Sequence, residues 1–171
     1  MGEVARTLVK LSGPDSVHGI IPVALVNHEQ GPNAKPDTDG RVDEDLKYGR
    51  TTIVKDMHTR KNMMAKEVIA GGPGSGFIAL SGGYGTLEEI MEMITWHQLG
   101  IHDRGIVFLN VEGYWDGVLR WVETSFEQGL IKKGNDTIIV EAKDGEEAVM
   151  ALQNYQPSIA RLKLKWDSEN K

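Results

Sequence analysis

The chain has 171 residues, a length that fits one α/β domain with an ordinary core. Hydrophobic residues make up 40% of it and charged residues 26%, the profile of soluble globular material and not of a disordered tail. The net charge of -6 argues against a nucleic-acid backbone as the main partner, and the absence of cysteine removes disulfide scaffolds, thiol nucleophiles and zinc–cysteine sites together.

In chain order, Gly2 to Leu11 is an amphipathic helix with Val4, Leu8 and Leu11 on one face, stopped by Ser12-Gly13-Pro14. His18 to Val26 (HGIIPVALV) reads as a buried strand running into a loop. Asn27 to Gly49 holds many Gly, Pro, Asn and Asp residues without a period and reads as a long loop, a kind that usually serves a site. Thr51–Val54 is a short strand, His58–Ala70 a helix, Phe77–Leu80 a strand and Thr86–Leu99 a strong helix. Ile106–Val111 (strand), Tyr114–Leu130 (helix), Thr137–Val140 (strand) and Gly145–Tyr155 (helix) follow.

Strands alternating with helices predict an α/β fold, a Rossmann-like parallel sheet with helices on both faces. The continuous apolar runs IIPVALV, FIAL, IVFL and TIIV fit strands covered on both sides. The expected organisation is a single domain over 1–155 and a loose polar tail over 156–171. The first element is a helix where a parallel domain usually opens with a strand, so the expectation is a chain lacking an N-terminal βαβ portion. No apolar run reaches membrane-spanning length and no signal-peptide pattern is present, which leaves the cytoplasm as the expected location.

Two strand–helix junctions stand out. Ser81-Gly82-Gly83-Tyr84-Gly85-Thr86-Leu87-Glu88-Glu89 follows a strand and opens a helix, at the sheet edge where ligands of such folds bind. Three glycines let a backbone approach a phosphate, and the free N–H groups of a helix start attract an anion. The plain alternative is a tight turn without a ligand. Thr86-Leu87-Glu88-Glu89 also fits a capping box, with Glu89 folded back on the Thr86 N–H. Glu88 is about 100° around the helix from Glu89 and points elsewhere.

The second junction, Asp56-Met57-His58-Thr59-Arg60-Lys61, puts adjacent cations at a helix N-terminus. They oppose the macrodipole and make sense if an anion sits there; otherwise they are a solvated face. Gly72-Pro73-Gly74-Ser75-Gly76 precedes a strand and reads as a flexible connector. His97 and His102 are wrongly spaced for one helical face, no metal cluster is apparent, and Trp96, Trp115 and Trp121 read as packing residues. Glu29, beyond a strand end, could face a base or ribose.

These residues resemble the Lonely Guy (LOG) family of cytokinin riboside 5′-monophosphate phosphoribohydrolases, often mislabelled as lysine decarboxylases. Its PGGxGTxxE marker appears as SGGYGTLEE over Ser81–Glu89, and its MHxRK marker as Met57–Lys61. HGIIPVAL from His18, ITWHQLGIHD from Ile94 and NVEGYWDGVL from Asn110 are similar to family segments as well, and the likeness runs from Met1 to Tyr155, nearest the fungal branch. Ser81 stands where the family has proline, and the chain begins inside the family's first glycine turn.

The resemblance implies hydrolysis of the N-glycosidic bond of an adenine-type nucleoside 5′-monophosphate to free base and ribose 5-phosphate. It makes Arg60 and Glu89 the catalytic pair. Glu29, Lys61, Gly82, Gly83, Tyr84, Gly85, Thr86, Leu87, Glu88 and Thr95 would surround the nucleotide. It implies a homodimer acting on a small-molecule nucleotide, with no metal or redox cofactor; the expectation of no nucleic-acid partner and no membrane comes from the net charge and the lack of a membrane-length apolar run. No residue set suits a pyridoxal phosphate Schiff base. The alternatives from other classes are a nucleotide-binding module without turnover and a truncated pseudoenzyme of the same fold.

Overall fold

A computed structural model describes residues 2–30, 48–164 and 166. The chain divides into two compact units, Met1–Met64 and Ala65–Lys171.

In the first unit, α1 (Gly2–Ser12) ends at Gly13-Pro14, where proline cannot continue the helix. None of its residues is buried, and Val4, Leu8 and Leu11 are 51%, 40% and 77% exposed. Strand β1 (His18–Pro22) pairs in parallel with β2 (Arg50–Val54), from His18 opposite Arg50 to Pro22 opposite Val54. The His18 Nε2 and Thr52 Oγ1 atoms lie 2.8 Å apart across the pair.

The expected strand over His18–Val26 stops at Pro22, and Val23–Gln30 is helix α2. A run of apolar residues without polar breaks has no readable period, so either element fits it. Pro22 decides, because its fixed φ suits a chain entering a helix. Buried Pro22 and Val26 then fall four residues apart, with exposed Val23 and Ala24 between them. The expected loop from Asn27 thus begins as helix, and residues 31–47 lie outside the described residues. Helix α3 (Met57–Ala70) carries the boundary between the units.

The second unit is a parallel sheet in the order β3 (Gly76–Ala79), β4 (Gly105–Leu109), β5 (Ile139–Ala142). Helices α4 (Tyr84–Gln98), α5 (Asp116–Glu127) and α6 (Gly145–Gln153) make or follow the crossovers. Side chains alternate across β4. Ile106 and Phe108 enter one core with Ala65, Ile90, Met93 and Trp115, and Val107 enters another with Ala142 and Ala148. The sheet of this unit is therefore covered on both faces, which is why IVFL is a continuous apolar run. Asp144 caps α6 by accepting from the Glu147 N–H at 2.9 Å, and Glu147 accepts from the Lys143 N–H at 2.7 Å.

The stretch after Gln156, expected to be loose, is docked on this unit at positions as late as Trp166, whose Nε1–H donates to the Leu99 carbonyl at 3.2 Å. The Leu162 N–H donates to the Gln98 carbonyl at 2.9 Å. Ser158 is buried and its hydroxyl meets the Gly134 carbonyl at 2.5 Å and Asn135 Oδ1 at 2.7 Å. Composition showed the polarity of this stretch but not its partners, which come from 23 to 67 residues upstream.

Candidate active site

The glycine turn joins β3 to α4 at the carboxyl end of the strand, as expected of a ligand-binding edge. The helix, however, begins at Tyr84 with Gly83 as its cap, two residues before Thr86. The Gly83 carbonyl accepts from the Leu87 N–H at 3.1 Å, which closes the first turn. Thr86 is then the third helical residue and not the cap, so the capping box of Thr86 with Glu89 does not form. Sequence spacing could not place the start, because both Gly83 and Thr86 are acceptable cap residues.

Each glycine in this turn has a different surrounding. A methyl on Gly82 would lie 2.9 Å from Thr86 Cβ, so the Thr86 side chain folds over the space a side chain would need. At Gly83 and Gly85 a methyl would meet nothing within 4 Å among the described residues. Gly83 also has no side chain with which to cap the first N–H groups of α4, which the helix itself cannot satisfy. The outcome is a helix start with open space beside two of its glycines.

Helical geometry sorts the side chains beyond the turn. Gly85 and Glu89 are one turn apart on one face, and side chains lean toward the helix N-terminus, so Glu89 leans over open Gly85. Glu89 is half-buried, whereas Glu88 is exposed. Leu87 packs on the core, which leaves only its backbone to face a ligand. Tyr84 is 94% exposed. Thr95 lies about 16 Å along the axis from Tyr84 at 1.5 Å per residue, and its hydroxyl donates to the Met91 carbonyl at 2.9 Å. Within this helix Thr95 is not brought to the turn.

In the first unit, Arg60 and Lys61 are half-buried in the first turns of α3. The conflict expected between these cations and the helix dipole is answered inside the protein. Asp56 Oδ1 accepts from the Thr59 N–H at 2.7 Å, which holds the Asp56 carboxyl below its usual range. An intrinsic anion therefore already sits at this helix start. D-x-x-T ahead of a helix is itself a cap signal in the sequence, and Asp56 with Thr59 forms that cap. Glu29 lies on α2 and not in a loop.

Residues that spacing did not select are also at the sheet's carboxyl edge. The Tyr114 hydroxyl donates to the Gly82 carbonyl at 2.7 Å. Asn110, fully buried just after β4, donates through Nδ2 to Asp116 at 2.8 Å and Glu141 at 2.6 Å, and accepts from the Trp115 N–H at 2.6 Å. Asn110 and the Lys143 ammonium beside it hold the Glu141 carboxyl below its usual range, Lys143 having the larger effect. NVEGYWDGVL is a family-like segment, and nothing local in it signals that Tyr114 reaches back 32 residues.

The two histidines are structural. His97 accepts at Nε2 from the Ser158 N–H at 3.3 Å, which leaves Nδ1 as the donor to the Arg104 carbonyl at 3.2 Å. His102 accepts at Nδ1 from the Arg104 N–H at 3.1 Å and donates from Nε2 to the Met93 carbonyl at 2.9 Å. Each ring is thereby fixed as one neutral tautomer. Burial pushes the His97 pKa down to about 4 and lowers that of His102 as well. Trp115 is buried and Trp96 packs on the core, but Trp121, expected to pack, is 59% exposed. Its helix α5 turns that face away from the sheet.

A groove of about 440 Å³ beside α5 and β5 is lined by Asp116, Arg120, Glu123, Phe126 and Glu141 among others, and by none of the residues of the two motifs. No group of three potential metal ligands occurs among the described residues.

The family model described as "possible lysine decarboxylase" matches residues 1–152. The bifunctional cytokinin biosynthesis protein of Fusarium pseudograminearum is 49% identical over 167 residues, which are 97% of this chain and 34% of that protein. The cytokinin riboside 5′-monophosphate phosphoribohydrolase LOG3 of Arabidopsis thaliana is 46% identical over 123 residues, 71% of this chain and 54% of that protein. LOG5 of the same plant is 37% identical over 173 residues, covering 100% of this chain and 67% of the relative. The chain thus spans from a third to two thirds of the length of these relatives. With the SGGYGTLEE turn seated at the carboxyl end of a parallel strand and the family model covering nearly all of it, the chain belongs to the LOG family, which carries the description "possible lysine decarboxylase".

Proposed function

We propose that the protein hydrolyses the N-glycosidic bond of an adenine-type nucleoside 5′-monophosphate, releasing the free base and ribose 5-phosphate. The observation that carries this reading is the glycine turn: a helix start with open space at Gly83 and Gly85, and a half-buried glutamate one turn further along the same face. The names of the relatives, phosphoribohydrolases of cytokinin riboside 5′-monophosphate, supply the substrate class.

The chemistry fits these parts. Breaking the bond between ribose C1′ and the base nitrogen builds positive charge on the sugar. Water adds its oxygen to C1′, and the departing base takes up a proton overall. Glu89 is assigned to stabilise the oxocarbenium charge and to take the proton of the attacking water. The N–H groups at the start of α4 hold phosphate or sugar oxygens. Arg60 and Lys61 are assigned from their motif to bind the substrate's oxygens, Arg60 as a planar fork of donors that orients the ribose. Glu29, the backbone of Leu87, Glu88 and Thr95 are assigned to the surroundings of the nucleotide by position from the family resemblance alone. The protein acts as a homodimer in the cytoplasm.

The test is incubation of the purified protein with AMP, N6-isopentenyl-AMP and adenosine, followed by chromatography for free base. Release of base from the monophosphates and little from adenosine is expected. Equal turnover of adenosine and AMP overturns the phosphate-anchored reading, and tight AMP binding without base release makes the protein a nucleotide-binding module.

A further inference from the structure

The loop after β4 is built to hold one exposed phenol. Asn110, fully buried, ties the loop to its surroundings through its carboxamide: the Trp115 N–H in the loop, the Asp116 carboxylate at the start of α5 and the Glu141 carboxylate on β5. Its own N–H donates to the Ala142 carbonyl at 2.7 Å, which pins the loop to the end of β5. Between these anchors the backbone takes a tight path, with Glu112 at φ 53° and Gly113 at φ 75°. Glycine is required at 113, because a methyl there would lie 2.6 Å from Asp116 Oδ2. The Tyr114 ring then stands edge-on against buried Trp115, with ring centroids 5.0 Å apart at 90°. Its hydroxyl lands 2.7 Å from the Gly82 carbonyl.

An exposed hydrogen bond of this kind contributes little to stability, since water replaces it readily. What it does control is the direction of a peptide plane. The Gly82 carbonyl and the Gly83 N–H belong to one trans peptide and point in opposite directions. A Gly-Gly peptide has no side chain to oppose rotation of that plane. With its carbonyl held by Tyr114, the peptide turns the Gly83 N–H away from Tyr114. A carbonyl that accepts a hydrogen bond also polarises its peptide, which makes that N–H a stronger donor.

We infer that Tyr114 is a positioning residue for the nucleotide's phosphate, acting through the Gly82–Gly83 peptide, with Asn110 holding Tyr114 in place. This rests on the nucleotide reading above, and it adds a residue that acts on phosphate affinity without touching the reacting sugar. The ligand group it serves is a phosphate monoester, so a nucleoside without phosphate gains nothing from it.

The experiment compares wild type with Tyr114→Phe, which keeps the ring against Trp115 and removes only the hydroxyl. Calorimetric Kd values for AMP, adenosine and ribose 5-phosphate are measured alongside KM and kcat for AMP. In the variant the Kd and KM for AMP and the Kd for ribose 5-phosphate are expected to rise about five- to ten-fold, the worth of one ordinary hydrogen bond. The kcat, the adenosine affinity and the melting temperature are expected to stay within about two-fold or within error, because no reacting group changes. A merely structural tyrosine would lower the melting temperature and weaken all ligands alike, which overturns the inference. Phosphate-ligand affinities unchanged in the variant also overturn it. If wild type itself binds neither AMP nor ribose 5-phosphate, it is the nucleotide reading that fails, and the inference falls with it.

Discussion

Glu88 and Glu89 show how one helical step separates a surface carboxylate from a candidate catalytic one. Exposed Glu88 leaves the face that Glu89 shares with Gly85. Thr86 is not the helix cap, so Glu89 is not the capping-box partner of Thr86. Glu89→Gln keeps the shape of the side chain and is expected to keep much of the nucleotide affinity while lowering kcat by about 100-fold or more, the scale of a group that acts on transition-state charge. Steady-state kinetics beside calorimetry checks this, and a variant with normal turnover removes Glu89 from the chemistry. The glycines offer a paired test. Gly83→Ala puts a methyl into open space, so the fold is expected to stand and AMP affinity to fall. Gly82→Ala collides with the Thr86 side chain, so the turn itself is expected to shift, with a lower melting temperature and weaker binding together.

At the scale of elements, helix α4 runs from the glycine turn at one end to the His97–His102 pair at the other. That pair joins α4 to the segment around Ser158, with the two rings edge-on and centroids 5.4 Å apart. Both rings are accepted as neutral tautomers, and protonation would put a second donor where a backbone N–H already points. With the folded His97 pKa lowered from 6.5 to about 4, the unfolded chain takes up a proton first as the pH falls. The stability tied to neutral His97 is complete above about pH 6.5 and is lost as the pH falls toward about 4, on the order of 3 kcal/mol at most. Urea unfolding at several pH values is expected to show that decline, and NMR titration to show His97 neutral at pH 5.5. A His97 resonance titrating near its ordinary value contradicts the buried-tautomer account. The core behind β4 is a second element-scale matter. Phe108 is fully buried against Trp115, so Phe108→Ala is expected to cost about 3–5 kcal/mol by leaving a cavity in a covered sheet. Urea unfolding measures it, and a loss below about 1 kcal/mol would mean that the core collapses to fill the space.

For the whole molecule, the proposed homodimer has a direct measure. Light scattering coupled to gel filtration is expected to give twice the 18.9 kDa of one chain. A monodisperse 18.9 kDa species with full turnover rules out a dimer requirement. The exposed apolar face of α1, with Leu11 77% exposed, is a surface that association would bury. No helix among the described residues is long and apolar enough to cross a membrane.

The sequence by itself determined the alternation of strands and helices in the second unit, because a strand covered on both faces leaves an uninterrupted apolar run, as Gly105–Leu109 does. It also carried the glycine turn at a strand's carboxyl end and the motifs that mark the family, since glycines and their order are chemistry that needs no partner to be read. Only the tertiary structure decided where helices begin. Val23–Gln30 is helical though its apolar run fits a strand, and α4 starts at Tyr84 though Thr86 caps as well on paper. It alone placed Tyr114 on the Gly82 carbonyl, and it alone made neutral core residues of His97 and His102. For Tyr114 and His97 the physical reason is that a deciding partner lies 32 and 61 residues away, and for the helix starts it is that more than one local pattern fits the same residues: periodicity and turn chemistry can be read locally, long-range hydrogen bonds cannot.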